Sequence, residues 1–154
     1  MSTIQEKKEN FEAWVALIDD RVEDWFMTLP LAQKNKFDYT MDSLDEIQRY
    51  MISKFVVDDL RDQRNKMEID AIASYVMRVF SKHVPNPEFV VELKDERNML
   101  YNLPAIITKP KTSSAFSPYF YFLSIVNLKE VGTFKHALNY MIQNYNDAVG
   151  NKKA

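Results

Sequence analysis

The sequence predicts an α+β domain, with N-terminal helices packed on a small antiparallel sheet and a C-terminal helix closing it. Three observations carry that reading. Apolar residues recur at spacings of three and four through the first eighty positions and again after Gly132, which is the helical period. Two short β-branched runs, Phe89–Leu93 and Leu103–Thr108, interrupt it. The 154 residues contain no repeat, low-complexity tract or dividing linker, so 1–154 reads as one domain with residues 1–6 and 148–154 as frayed ends.

The first helix is expected from Phe11 to Leu29. Phe11, Trp14, Val15, Ile18, Val22, Trp25, Phe26 and Leu29 form its apolar stripe, and Pro30 ends it. Residues 31–42 read as a polar connector from which Phe37 and Tyr39 dock on the core. Ser43 lies three residues before Glu46, the spacing of a capping box, and Leu44, Ile47, Met51 and Phe55 follow as the buried stripe of a second helix. The charged run Asp58–Lys66 is placed at the exposed end of that helix and the turn after it. A third helix carries Ile69, Ile72, Ala73, Val76 and Phe80 on one face and closes before Pro85 and Pro87. The two β-branched runs are expected to pair as a hairpin with a long connection, Pro104 marking the start or edge of the second strand. Residues 116–128 have strand-like composition, but Ser117-Pro118 resembles an N-cap followed by proline at the first helical position, which predicts a short buried helix. Gly132-Thr133 opens the last helix, with Phe134, Ala137, Leu138, Met141, Ile142 and Tyr145 on its apolar face.

Composition excludes several chemistries. The chain has no cysteine, so disulfides, thiolate-bound metals, iron–sulfur clusters and thiol catalysis are ruled out. It has two glycines, Gly132 and Gly150, and neither lies between a strand and a helix. A phosphate-cradling loop, a dinucleotide fold, a G-x-S-x-G elbow and an EF-hand all need glycine where the backbone turns tightly or approaches a ligand, so none is expected, and no cofactor is. The polar N-terminus predicts no signal peptide, and the apolar stretch Tyr119–Val126 is too short to span a bilayer; a soluble cytoplasmic protein with no membrane association is the expectation.

Net charge is −2 but unevenly spread: residues 1–70 carry 10 Lys/Arg against 16 Asp/Glu, residues 71–154 carry 10 against 6. The acidic half argues against nucleic-acid binding, which needs clustered cations to displace phosphate counterions. It suits a basic partner protein instead. Asp19, Asp20, Glu23 and Asp24 form one acidic group on the first helix, and Asp58, Asp59 and Asp62 a second. Fanned around a helix, such carboxylates suit solvent or a cationic partner better than a metal, which needs oxygens converging from a loop. Tyr119 and Tyr121, within the aromatic block Phe116–Phe122, are candidate contact residues if exposed, and a homodimer contact there is the alternative to a foreign partner. His83 and His136 lack the neighbours of a metal motif. Glu92-Leu93-Lys94 has the E-x-K form of a nuclease strand, with Asp70 as the nearest upstream carboxylate.

Residues Ile69–Leu103, through the helix Ile69–Val76, the strand Phe89–Leu93 and the segment Asn98–Pro104, resemble small bacterial domains of unknown function, some thought to be immunity proteins that bind and block a toxin. The missing site motifs, the acidic helical face and the aromatic block favour the same expectation, a bacterial, intracellular, non-enzymatic binding module of immunity or adaptor type. The competing expectations are a small hydrolase or nuclease with a site assembled across the fold, and a self-associating structural subunit.

Overall fold

The computed structural model describes residues 2–153, and its architecture is α+β. α1 spans Ile4–Ala16 and starts at Thr3, whose hydroxyl accepts the Glu6 N–H at 3.0 Å. The single helix expected over 11–29 is two: after Leu17, α2 begins anew at Ile18 and runs to Phe26. Periodicity cannot reveal the break, because a side chain makes it. Arg21 donates to the Trp14 carbonyl at 2.7 Å, occupying the acceptor that a continuous helix offers to residue 18, and lies over the Trp14 ring. α1 buries no residue fully, whereas α2 buries Ile18, Val22 and Trp25.

The connector expected as pure loop holds a helical turn, α3 (Leu31–Lys34), set by the fixed φ of Pro30. Phe37 docks in the core as expected. α4 spans Ser43–Lys54, but the expected capping box does not form. Ser43 already lies inside the helix: its hydroxyl donates to the Thr40 carbonyl at 2.6 Å and accepts from Tyr75 at 2.7 Å, while Glu46 pairs with Arg49. The charged run, expected at the exposed end of that helix and the turn after it, lies beyond the helix and forms two 3₁₀ turns, Val57–Arg61 and Gln63–Asn65.

α5 (Lys66–His83) is the centre of the molecule. Its residues 71–77 are all buried, because α2, α4, the hairpin and α7 cover it on every side. Each large apolar side chain so buried contributes about 1.5–3 kcal/mol relative to exposure. β1 (Pro87–Val90) and β2 (Ala105–Thr108) form the antiparallel sheet, shorter than expected and shifted on the first strand. Phe89 pairs with Ile106 on the face toward α5; Val90 with Ala105, and Glu88 with Ile107, share the outer face.

Residues 116–128 adopt the helical alternative, as a 3₁₀ turn at Pro118–Phe120 and then α6 (Phe122–Leu128). Phe116 stacks on Phe80 with ring centroids 4.1 Å apart. Gly132, at φ +99°, supplies the turn into α7 (Thr133–Lys153). Gln48, buried on α4, bridges across that turn: it donates to the Glu130 carbonyl and accepts the Phe134 N–H, both at 2.8 Å. The ends expected to fray are helical over residues 4–6 and 148–153; residues 1 and 154 lie outside the described ones.

Candidate functional site

α2 is held by its inner face and offers the opposite one. At 100° per residue, Asp20, Glu23, Asp24 and Met27 fall within a third of the helix circumference, away from Val22 and Trp25. Among the described residues, none of the three carboxylates makes an ion pair or a side-chain hydrogen bond, and Met27 is 85% exposed. Asp19 stands apart from this stripe. It accepts from Arg78 Nε and Nη2, at 2.8 and 3.2 Å, and so ties α2 to α5.

The remaining anchor of α2 lies below a hollow of about 440 Å³ between α2 and the start of α5, lined by Asp24, Trp25, Thr28, Arg64, Met67 and Glu68 among others. Glu68 accepts from the Trp25 indole at 2.9 Å, the Tyr50 hydroxyl at 2.6 Å and Lys54 at 2.8 Å. Burial pushes its carboxyl up, but the hydrogen bonds from Lys54, Tyr50 and Trp25 together outweigh burial and hold it below the ordinary glutamate value. Burial, reinforced by Glu68, raises Tyr50. The network is internally satisfied, which makes it a structural clamp.

The second acidic group is mostly spent on its own backbone. Asp59 accepts the Val56 N–H at 2.8 Å; Asp62 accepts the Arg64 N–H at 2.9 Å and grips the Arg64 guanidinium. Asp58 alone is exposed without such a bond among the described residues. Arg64, held by Asp62, lines the same hollow as Asp24.

The aromatic block is packed inward. The Tyr119 hydroxyl donates to Asp70 at 2.6 Å and accepts from the Trp14 indole at 3.3 Å; burial and then the Asp70 carboxylate push its pKa far above the ordinary tyrosine value. Tyr121 is half-buried, stacked on Phe116 at 5.4 Å. Neither ring is fully exposed, but Tyr121 keeps part of its surface toward the hollow beyond the hairpin. Phe120, between them, is exposed instead.

The other candidates do not converge. Glu92 lies beyond the end of β1 and its carboxylate accepts the N–H groups of Lys94 and Asp95, while Asp70 is engaged by Tyr119 and Lys66. His83 Nε2–H donates to the Tyr39 carbonyl at 2.9 Å, and His136 is exposed in the first turn of α7. No group of three or more His, Cys, Asp or Glu among the described residues is placed to hold a metal ion, and no described helix is long and apolar enough to cross a membrane.

Sequence reasoning turned Trp25, Phe26, Phe37 and Tyr39 toward the core but missed Tyr50 and Tyr75, which complete an aromatic cluster beneath α2. Tyr75 sits at its centre with its pKa pushed up to about 12, mainly by burial. Its hydroxyl accepts the Tyr39 N–H at 2.9 Å, and with His83 on the carbonyl it holds Tyr39 at φ 64°. Comparison with protein-family models, curated proteins and solved structures finds no match to this chain.

Proposed function

We propose that this protein is a non-enzymatic binding module of immunity or adaptor type, acting in the bacterial cytoplasm, whose outer α2 face docks a basic protein surface and occludes it. The observation that carries the proposal is the stripe of Asp20, Glu23 and Asp24, which has no ion-pair partner among the described residues. Glu23 and Asp24 lie in the last turn of α2, where the helix dipole is negative and no basic residue stands. Asp20 and Asp24 are also four apart, a like-charge spacing that destabilises a helix. A stability optimum would place cations there. A positive partner surface relieves both costs, and exposed Met27 beside the carboxylates supplies apolar contact area.

Rigidity supports the same reading. Trp25–Glu68 and Asp19–Arg78 fix α2 on α5, so the carboxylates are presented with little ordering cost on binding. The test is capture of interacting proteins on immobilised wild type and on a D20K/E23K/D24K variant, at low and high salt. A basic protein retained by wild type, released by salt and lost from the folded variant supports the proposal. Identical retention on both surfaces overturns it.

A further inference from the structure

We propose that the outer face of the hairpin forms a second, small-molecule site, which takes an amphipathic monocarboxylate: an apolar body of six to ten carbons bearing one anionic head. A two-stranded sheet with one solvated face alternates apolar and polar residues, yet here Val90, Ala105 and Ile107 make most of the outer face apolar, with Glu88, paired with Lys109, at its far end. On that face Ala105 is covered, while Val90 and Ile107 are only partly so. The segments 97–100 and 111–121 rise around it and leave a hollow of about 690 Å³, within the size range of small-molecule sites. Leu100, Phe120 and Tyr121 extend the apolar lining.

The charges of the hollow set the ligand's sign. Arg97 and Lys111 both line it, and neither has an ion-pair partner among the described residues. The one carboxylate of the lining, Glu92, is turned onto the backbone N–H groups of Lys94 and Asp95. Ser117, also in the lining, keeps its hydroxyl buried with no hydrogen-bond partner, a cost that an acceptor oxygen reaching it removes. An apolar floor with two uncommitted cations at its margin matches a carboxylate on an apolar tail. Neither a bare anion nor a neutral hydrocarbon uses both halves. The site shares no lining residue with the hollow beside α2, so it stands or falls independently of the docking face.

The experiment is an amide-resolved NMR titration of the full chain with sodium octanoate, with acetate and 1-octanol as the head-only and tail-only probes. Saturable octanoate shifts centred on Val90, Ala105, Ile107 and Ser117, with both partial probes at least about tenfold weaker, are expected. An R97Q/K111Q variant, altering two exposed side chains, is expected to keep its melting temperature and lose about tenfold or more in octanoate affinity. Unsaturable or scattered shifts, equal response to octanol, or unchanged affinity in the variant would each overturn the proposal.

Discussion

The two sides of the α5 helix are finished to different standards. Toward α2, Trp25 stacks on Phe37 at 5.3 Å and meets Tyr50 edge-on, and the polar tips of Trp25, Tyr50 and Tyr75 each reach a partner within 2.9 Å. Beyond the hairpin, the floor of Val90, Ala105 and Ile107 opens into a hollow, and the hydroxyls of Ser113 and Ser117 are buried without partners. Dense packing with satisfied hydrogen bonds makes a rigid mount, and an under-packed apolar face leaves room for a ligand. The molecule thus presents charge from its rigid side and space on its loose side.

That contrast can be broken most directly at Trp25. Trp25→Ala removes the indole from the aromatic cluster and its bond to Glu68, so unfolding in urea is expected to show a loss of about 3–5 kcal/mol. Tyr75→Phe leaves the Tyr39 N–H without its acceptor while Tyr39 stays at positive φ, and the same measurement should register about 1–3 kcal/mol. On the loose side, Ile107→Val should cost only about 0.5 kcal/mol, the low end of the usual range for a buried isoleucine, since the neighbouring space is already open. A cost there as large as that of Tyr75→Phe would mean that the two sides are equally well packed.

The clamp below α2 also has a pH signature. The folded Glu68 carboxyl lies below its ordinary value of 4.5, so its contribution is fully present above that pH and drains away as pH falls through the lower folded value. Stability measured from neutral pH downward should therefore decline below about 4.5 in wild type, and Glu68→Gln, less stable at neutral pH, should show a shallower decline. The smallest effect has the opposite sign. Asp24→Asn removes a like charge from the last turn of α2 and should stabilise the fold by about 0.2–0.5 kcal/mol while weakening capture of a basic partner. A destabilised Asp24→Asn variant would show that the carboxylate serves the fold.

Legibility in the sequence followed the range of the interaction. The stripes of Leu44, Ile47 and Met51, of Ile72, Val76 and Phe80, and of Phe134, Leu138 and Met141 were readable because burial of a helix face repeats every three or four residues, and all nine are buried. Ser117-Pro118 correctly favoured helix over strand because its preference is local. The break at Leu17 was hidden because Arg21 makes it by reaching back seven residues, and the Ser43 capping box failed because Tyr75, 32 residues away, engages that hydroxyl. The acidic stripe of α2 was legible as composition, but Asp19 drops out of it for a partner 59 residues on.

Composition and periodicity by themselves determined the α+β class, the main helices, the hairpin and the uneven charge, because each depends on residues close in sequence. Only the tertiary structure decided which carboxylates of α2 remain uncommitted, that Tyr119 turns inward onto Asp70, and that a hollow lies beside the outer face of the hairpin. Those outcomes depend on which distant side chain arrives first at a given donor, acceptor or surface, and residue spacing carries no record of that.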